Sequence, residues 1–229
     1  MENQFVIYPH DEKDNFEIGL TPQDKLIYLA IRRYMNKITL TSFPSYATIT
    51  KDIGAASKTI KKSVNNLVRE GYLETKRDGR KIIYKFNNKK KFEMYSYDFL
   101  DKKDLTFTEK AYIVASQQYM FKDGYNEEGR ISLKNKELSK LIKMSESAIS
   151  KCNHSLEEKH YLKGASEPIK RFQLRELDQL FICTLIDHEN RLNDQNAKID
   201  KLEQEVKMLK QKLEEKQENM QLTDKQFIV

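Results

Sequence analysis

Apolar residues first recur at helical spacing at Leu26, Leu29, Ala30 and Met35, on a stretch opened by Thr21, Pro22 and Asp24. Thr21 in a cap position, proline at the first helical position and an acid three residues after the cap signal a helix start. They satisfy or remove the unpaired N–H groups of the first turn. A short helix is expected over 46–53, then a tight connection at Gly54-Ala55-Ala56. A third helix follows over 57–70, with Ser57 as its cap and Ile60, Val64 and Leu67 as its apolar stripe. Gly71 ends it, as a residue tolerant of positive φ should. The period then changes to that of strands, over 72–76 and 81–86, around an Asp78-Gly79 hairpin turn.

The same pattern returns further on. Leu20, Thr21, Lys25, Ala30, Tyr34 and Met35 match Leu105, Thr106, Lys110, Ala115, Tyr119 and Met120 at an offset of 85. Ile49, Lys51, Ile53, Ile60, Lys62, Leu67, Tyr72 and Leu73 match Leu138, Lys140, Ile142, Ile149, Lys151, Leu156, Tyr161 and Leu162 at an offset of 89. Blocks repeated in order identify a duplicated module. The second copy carries a longer internal loop, marked by turn signals at Lys122-Asp123-Gly124 and Glu128-Gly129. Thr106 and Glu109 have capping-box spacing, with Tyr112, Ala115 and Tyr119 at helical spacing behind them. A helix over 134–142, a turn at Lys143-Met144, a helix over 145–159 and strands over 160–163 and 169–174 around a wing tip near 164–168 complete the copy.

Three helices followed by a β-hairpin is the element order of a winged helix-turn-helix. The segment PSYATITKDIGAASKTIKKSVNNLVREGYLETKRDGRKIIYKF resembles the winged helix-turn-helix domains of bacterial transcription regulators and of phage and plasmid replication initiators. The resemblance lies in Pro-Ser before a short helix, a Ser/Thr-x-x-apolar start to the third helix, and Glu-Gly-Tyr-Leu entering the wing. It covers about 43–86 closely and the second module more loosely, where His160 replaces the glycine before the tyrosine. It implies DNA binding, with the third helix as reader.

Charge sharpens this expectation. Over 57–91 there are twelve Lys and Arg against three Asp and Glu, a net of +9 where the whole chain carries +6. With Ile60, Val64 and Leu67 facing inward, Ser57, Lys58, Thr59, Lys61, Lys62 and Asn65 lie on or beside the outward side, where a recognition helix meets the major groove. Asn suits an adenine edge, and lysine suits phosphate or guanine. Lys76, Arg77, Arg80 and Lys81 flank the hairpin turn and supply phosphate or minor-groove contacts. In the second module Ser145, Ser147, Ser150, Lys151 and His154 face outward, Ile149 and Leu156 inward. Glu146, Glu157 and Glu158 weaken its attraction to phosphate, while Lys163, Lys170 and Arg171 lie on its wing. A second DNA reader, a phosphate clamp and a protein-contact module all fit there, since fold does not fix function.

No Gly or Pro interrupts the chain from about Asp178 onward. Leu185, Leu192, Ile199, Val206, Leu213 and Met220 recur every seven residues, with Phe181, His188, Gln195, Leu202, Leu209 and Lys216 as companions. That heptad spacing predicts a coiled coil, with Leu185, Leu192, Ile199, Leu202, Val206, Leu209 and Leu213 as the dimerisation seam. In a parallel pair Lys198 would meet Glu203 of the other copy, and Glu205 would meet Lys210, which favours that orientation.

The expected fold class is α+β, mainly α: two tandem winged helix-turn-helix domains and a long C-terminal coiled-coil helix. The expected divisions are an arm over 1–19, a first domain over 20–92 and a linker over 93–104. A second domain over 105–174, a dimerisation helix over 175–220 and a tail over 221–229 follow. A mean hydropathy of -0.76 with 33% charged residues suits small domains and an exposed helix, not one large core. No apolar run reaches the ~18 residues that span a bilayer, and no secretory leader is visible, so a cytoplasmic setting is expected. Cys152 and Cys183 form no metal-binding or disulfide pattern, and His154 and His160 have no visible cluster. No nucleotide-binding or zinc-protease motif is present. The expectation is therefore no catalysis, no cofactor and no metal. The partners are double-stranded DNA and a second copy of the chain. A protein partner at the second module or at Phe227-Ile228-Val229 stays open, as does a scaffolding role. Transcription control and replication initiation both fit this chemistry.

Overall fold

A computed structural model describes residues 5–10, 19–87, 91–122, 128–173, 202 and 204–209. The chain divides into two compact units, Met1–Thr184 and Leu185–Val229.

In the first unit, strand β1 (Phe5–His10) precedes helix α1 (Pro22–Arg32), and the short β2 (Thr41–Ser42) precedes α2 (Tyr46–Ile53) and α3 (Ser57–Arg69). Strands β3 (Leu73–Asp78) and β4 (Lys81–Phe86) follow, and β2 lies on the outer side of β4 in a three-stranded sheet ordered β2-β4-β3. This gives helix, helix, helix, hairpin, as expected. The capping box of α1 forms as its spacing predicts: Thr21 N donates to Asp24 Oδ2 at 2.8 Å and Asp24 N to Thr21 Oγ1 at 3.4 Å. Gly54 and Gly71 end α2 and α3 with φ of 74° and 72°, values that L side chains rarely adopt.

The arm and the linker form structure of their own. Residues 91–96 are strand β5 (Lys91–Ser96), which pairs antiparallel with β1 from Phe5↔Ser96 to His10↔Lys91. A short helix, α4 (Tyr97–Asp101), continues directly from β5, and Arg33 holds it with paired bonds to Asp101 of 2.5 and 2.7 Å. On β1, Tyr8 is fully buried, stacked on Tyr72 at 5.7 Å and edge-on to Tyr28 at 5.2 Å. A segment expected as an arm outside the first domain is thus packed into the first core. Its contacts come from residues far along the chain, which local patterning does not reveal.

Helices, a 3₁₀ turn and strands then recur: α5 (Phe107–Ser116), the turn Gln117–Tyr119, β6 (Phe121–Lys122), β7 (Glu128–Ile131), α6 (Asn135–Ile142), α7 (Glu146–Glu158), β8 (Leu162–Lys163) and β9 (Lys170–Gln173). The sheet is ordered β6-β7-β9-β8. Glu128 and Gly129, expected in a turn, pair in β7 with Gln173 and Phe172 of β9. Helix α5 packs against α1, and one apolar core runs from Tyr8 and Leu20 through Tyr112, Ile149 and Phe172.

In the second unit residues 202 and 204–209 are helical, with Leu202, Val206 and Leu209 between 50% and 64% exposed. Leu185, Leu192, Ile199 and Leu213, the charges at 198, 203 and 210, and the tail over 221–229 lie outside the described residues. No helix among the described residues is long and apolar enough to cross a membrane.

Candidate nucleic-acid interface

Helix α3 owes its orientation to its inner face. Ile60, Ser63, Val64 and Leu67 are buried, and Asn66 donates through Nδ2 to Asp24 Oδ2 at 3.3 Å, tying α3 to the start of α1. Ser57, Lys58, Lys61, Lys62 and Asn65 are exposed, and Thr59 is half-buried at the edge. Lys58, Lys61 and Lys62 have no carboxylate partner among the described residues. One expectation is corrected here: Ser57 is the first residue of the helix, and Ala56 holds the cap position without a side-chain bond. Alanine has no acceptor to offer, so the first turn's N–H groups gain nothing from the cap side chain.

The hairpin that follows is long and regular. Its register runs from Leu73↔Phe86 to Asp78↔Lys81, leaving Gly79 and Arg80 as the two-residue loop. Gly79 takes φ 57°, the positive value that the first position of such a loop requires. The turn thus lies one residue later than Asp78-Gly79, and Asp78 belongs to the strand. Lys76, Arg77, Arg80 and Lys81 are all exposed at this end. Lys85, further back, is paired with Glu74 at 3.2 Å. Lys81 lies 5.9 Å from the ring of Phe43, which is 64% exposed at the end of β2 nearest the loop. Tyr46, at the start of α2, is kept above the ordinary tyrosine range by burial, against the opposing pull of the nearby Arg77 charge. Phe43 and Tyr46 did not stand out in the sequence, where Phe-Pro-Ser-Tyr reads only as a helix entry.

Helix α7 holds the positions equivalent to α3 at the offset of 89, and its chemistry differs residue by residue. Ser147 stands for Lys58, Ser150 for Lys61, Lys151 for Lys62 and His154 for Asn65, while Glu157 and Glu158 replace Val68 and Arg69. Ser147, Lys151 and His154 are exposed and, with Ser150, Ser155 and Glu158, line a shallow open groove along the helix. Ser145 caps this helix, accepting from Ala148 N at 3.2 Å. The hairpin beyond it pairs only Leu162↔Phe172 and Lys163↔Arg171. Glu157 Oε1 turns back to accept from Gly164 N at 2.9 Å and Ala165 N at 3.1 Å. Lys170, expected as a wing cation, is buried, donates to Glu167 O at 3.2 Å, and burial pulls its ammonium below the usual lysine range. Arg171 is paired with Glu167 at 3.2 Å. Counted over 57–86, basic residues outnumber acidic by nine to three; over 146–173 the ratio is five to four.

Beneath both helices lies the same device with different parts. Where Asp24 accepts from Asn66, the nearly buried Glu109 accepts from Ser155 Oγ at 2.5 Å and from Lys159 Nζ at 2.8 Å. Burial pushes the Glu109 carboxyl up, but the bonds from Lys159, Ser155 and Thr106 together hold it below the usual range. Lys25 and Lys110 are equivalent, both nearly inaccessible. Lys25 meets the Glu93 carboxylate at 2.7 Å, whereas Lys110 donates to the Leu100 carbonyl at 2.6 Å and has no carboxylate partner among the described residues. Burial, with repulsion from Lys103, lowers the Lys110 ammonium to about 8.

Residues 19–73 match the family of the helix-turn-helix domain. The match runs from the cap of α1 to the first residue of β3, so this part of the chain is a helix-turn-helix domain. No curated protein and no solved structure matches the chain.

Proposed function

We propose that this chain is a sequence-specific double-stranded DNA-binding protein that acts as a homodimer and regulates transcription. The observation that carries the proposal is the run of cations on the exposed side of α3, without carboxylate partners among the described residues, continued by Lys76, Arg77, Arg80 and Lys81 at the hairpin end. A helix set on a buried stripe presents Lys58, Lys61, Lys62 and Asn65 to the major groove, and the wing grips the adjoining backbone. The helix-turn-helix match over 19–73 supports this reading.

The second set of three helices and hairpin acts, in this proposal, as a second winged helix whose α7 adds little to DNA affinity. Ser147, Ser150, Lys151 and His154 approach the duplex as weak polar contacts. The exposed Leu202, Val206 and Leu209 support a parallel coiled coil, since a solitary helix would leave them in water. Pairing makes the second half-site encounter intramolecular and favours a repeated or palindromic site about 34 Å between half-sites. The protein works without catalysis, cofactor or metal, in the cytoplasm. A replication initiator is the second reading, favoured by the packing of α1 on α5, which lets two winged helices grip one origin together.

Changing Lys58, Lys62 and Asn65 together to Ala tests the proposal. All three are exposed, so the circular-dichroism spectrum stays unchanged while specific binding in a gel-shift titration is lost. Retained affinity would refute the assignment. Sequencing of DNA fragments captured by the purified protein separates promoters from an origin.

A further inference from the structure

The flank of the first hairpin holds chemistry that duplex reading by α3 does not use. Phe43 directly follows β2, which is fixed by pairing Ser42 with Tyr84 of β4, and Pro44 and the cap Ser45 lead at once into α2. The backbone on both sides is therefore set, yet the Phe43 ring is 64% exposed. Lys81 lies 5.9 Å from that ring, and the exposed Lys76, paired with Ile83, lies on the same outer face of the sheet as Lys81. One exposed aromatic ring and two cations thus share the outer face of the sheet.

A base pair inside a duplex presents edges, sugars and phosphates, and its flat faces are already stacked. An exposed phenyl ring gains little from such a surface. An unpaired base offers the face that the ring lacks, and its phosphate is the counterpart of Lys81 and Lys76. Aromatic stacking combined with nearby cations is the general means by which single strands are held without regard to sequence. We propose that Phe43, with Lys76 and Lys81 on the same face, forms a stacking site for an unpaired nucleotide of single-stranded DNA, beside the duplex-reading face. The proposal rests on the DNA-binding reading and extends it to strands opened or frayed at the bound site.

The chain has no tryptophan, so Phe43→Trp introduces a single indole at the site. Its fluorescence is expected to be quenched by oligothymidylate at low salt, and far less by a random-sequence hairpin duplex of equal length. Phe43→Ala is expected to weaken oligothymidylate binding about tenfold, the lower part of the range for one stacked base, and to leave duplex binding within about twofold. Equal quenching by both DNAs overturns the site. So does absence of quenching together with unchanged oligothymidylate affinity of Phe43→Ala. The two readings fail separately. If full-length wild-type protein binds duplex and the two Phe43 variants show neither effect, only the stacking site is lost. Protein that binds neither DNA loses the DNA-binding reading as well.

Discussion

Helices α3 and α7 hold equivalent places, each the third helix before a hairpin, but they present different surfaces. Each is seated by a capping carboxylate from the preceding first helix, Asp24 or Glu109, and each buries an isoleucine and a leucine at matching positions. Outside, three lysines and an asparagine face two serines, a lysine and a histidine. The wings diverge in the same direction: one is a six-pair hairpin with cations at its end, the other a two-pair stub in which Lys170 is buried and Arg171 is paired with Glu167. A buried framework can therefore be kept while the surface that meets a partner is rewritten, because packing constrains only the inward positions.

The largest effect expected from breaking this contrast is in salt dependence. Replacing Lys76, Arg77, Arg80 and Lys81 by Ala should flatten the slope of log affinity against log salt by up to about 3.6, at about 0.9 per lost phosphate contact. Replacing Lys163 and Arg171 should change it by less than about one. Anisotropy titrations at several salt concentrations measure both. If the two slopes change equally, the wings are equivalent and the contrast fails.

The seats beneath the helices differ in stability next. Glu109→Ala strands Lys159 and should cost about 3 kcal/mol, while Asp24→Ala, which loses a cap and one neutral partner, should cost about 1 kcal/mol. Urea unfolding compares the two. The stabilisation by Glu109 is present above its unfolded pKa and is lost as pH falls through its lower folded value. An acid titration of stability should therefore be flatter in Glu109→Gln.

Lys110 gives the opposite pH behaviour. Its cationic form is disfavoured in the fold, with a pKa of about 8 against about 10.5 unfolded, so stability rises as pH climbs between those values. Below about 8 the cost is present in full, and Lys110→Met should raise stability at neutral pH by about 2 kcal/mol. Lys25→Met removes a carboxylate's partner and should lower it. Thermal melts at pH 7 and 9.5 check both signs.

The smallest effect concerns helix ends. Gly54 and Gly71 take positive φ at no steric cost, but their counterparts Lys143 and His160 take φ 54° and 64° with side chains attached. Adding a Cβ at Gly71 meets nothing within 4 Å, so Gly71→Ala should cost about 1 kcal/mol from conformation alone. His160→Gly should recover a similar amount. Unfolding midpoints that move the other way would show that the second module has relieved the strain elsewhere.

Much of this was legible in local sequence. Cap residues, apolar stripes and the offsets of 85 and 89 located α1 to α3 and α5 to α7 to within a residue or two. The outward set on α3 followed from where Ile60, Val64 and Leu67 must point. What escaped depends on distant partners. The pairing of β1 with β5 joins residues 91 apart at Phe5↔Ser96, and neither strand alone has a clean alternation. The burial of Lys25, Lys110 and Lys170 is invisible to composition, because lysine reads as exposed until a carboxylate or carbonyl is brought to it. Exposed Phe43 was hidden for the converse reason: an aromatic residue before a helix reads as core.

The most direct test sets the two helices against each other on one DNA. Lys58, Lys62 and Asn65 changed to Ala, and separately Ser147, Lys151 and His154 changed to Ala, would be titrated in parallel against captured genomic duplex at about 0.15 M salt. The account predicts at least a hundredfold loss of affinity for the first variant and less than about fivefold for the second. Equal losses, or a larger loss from the α7 variant, would contradict it.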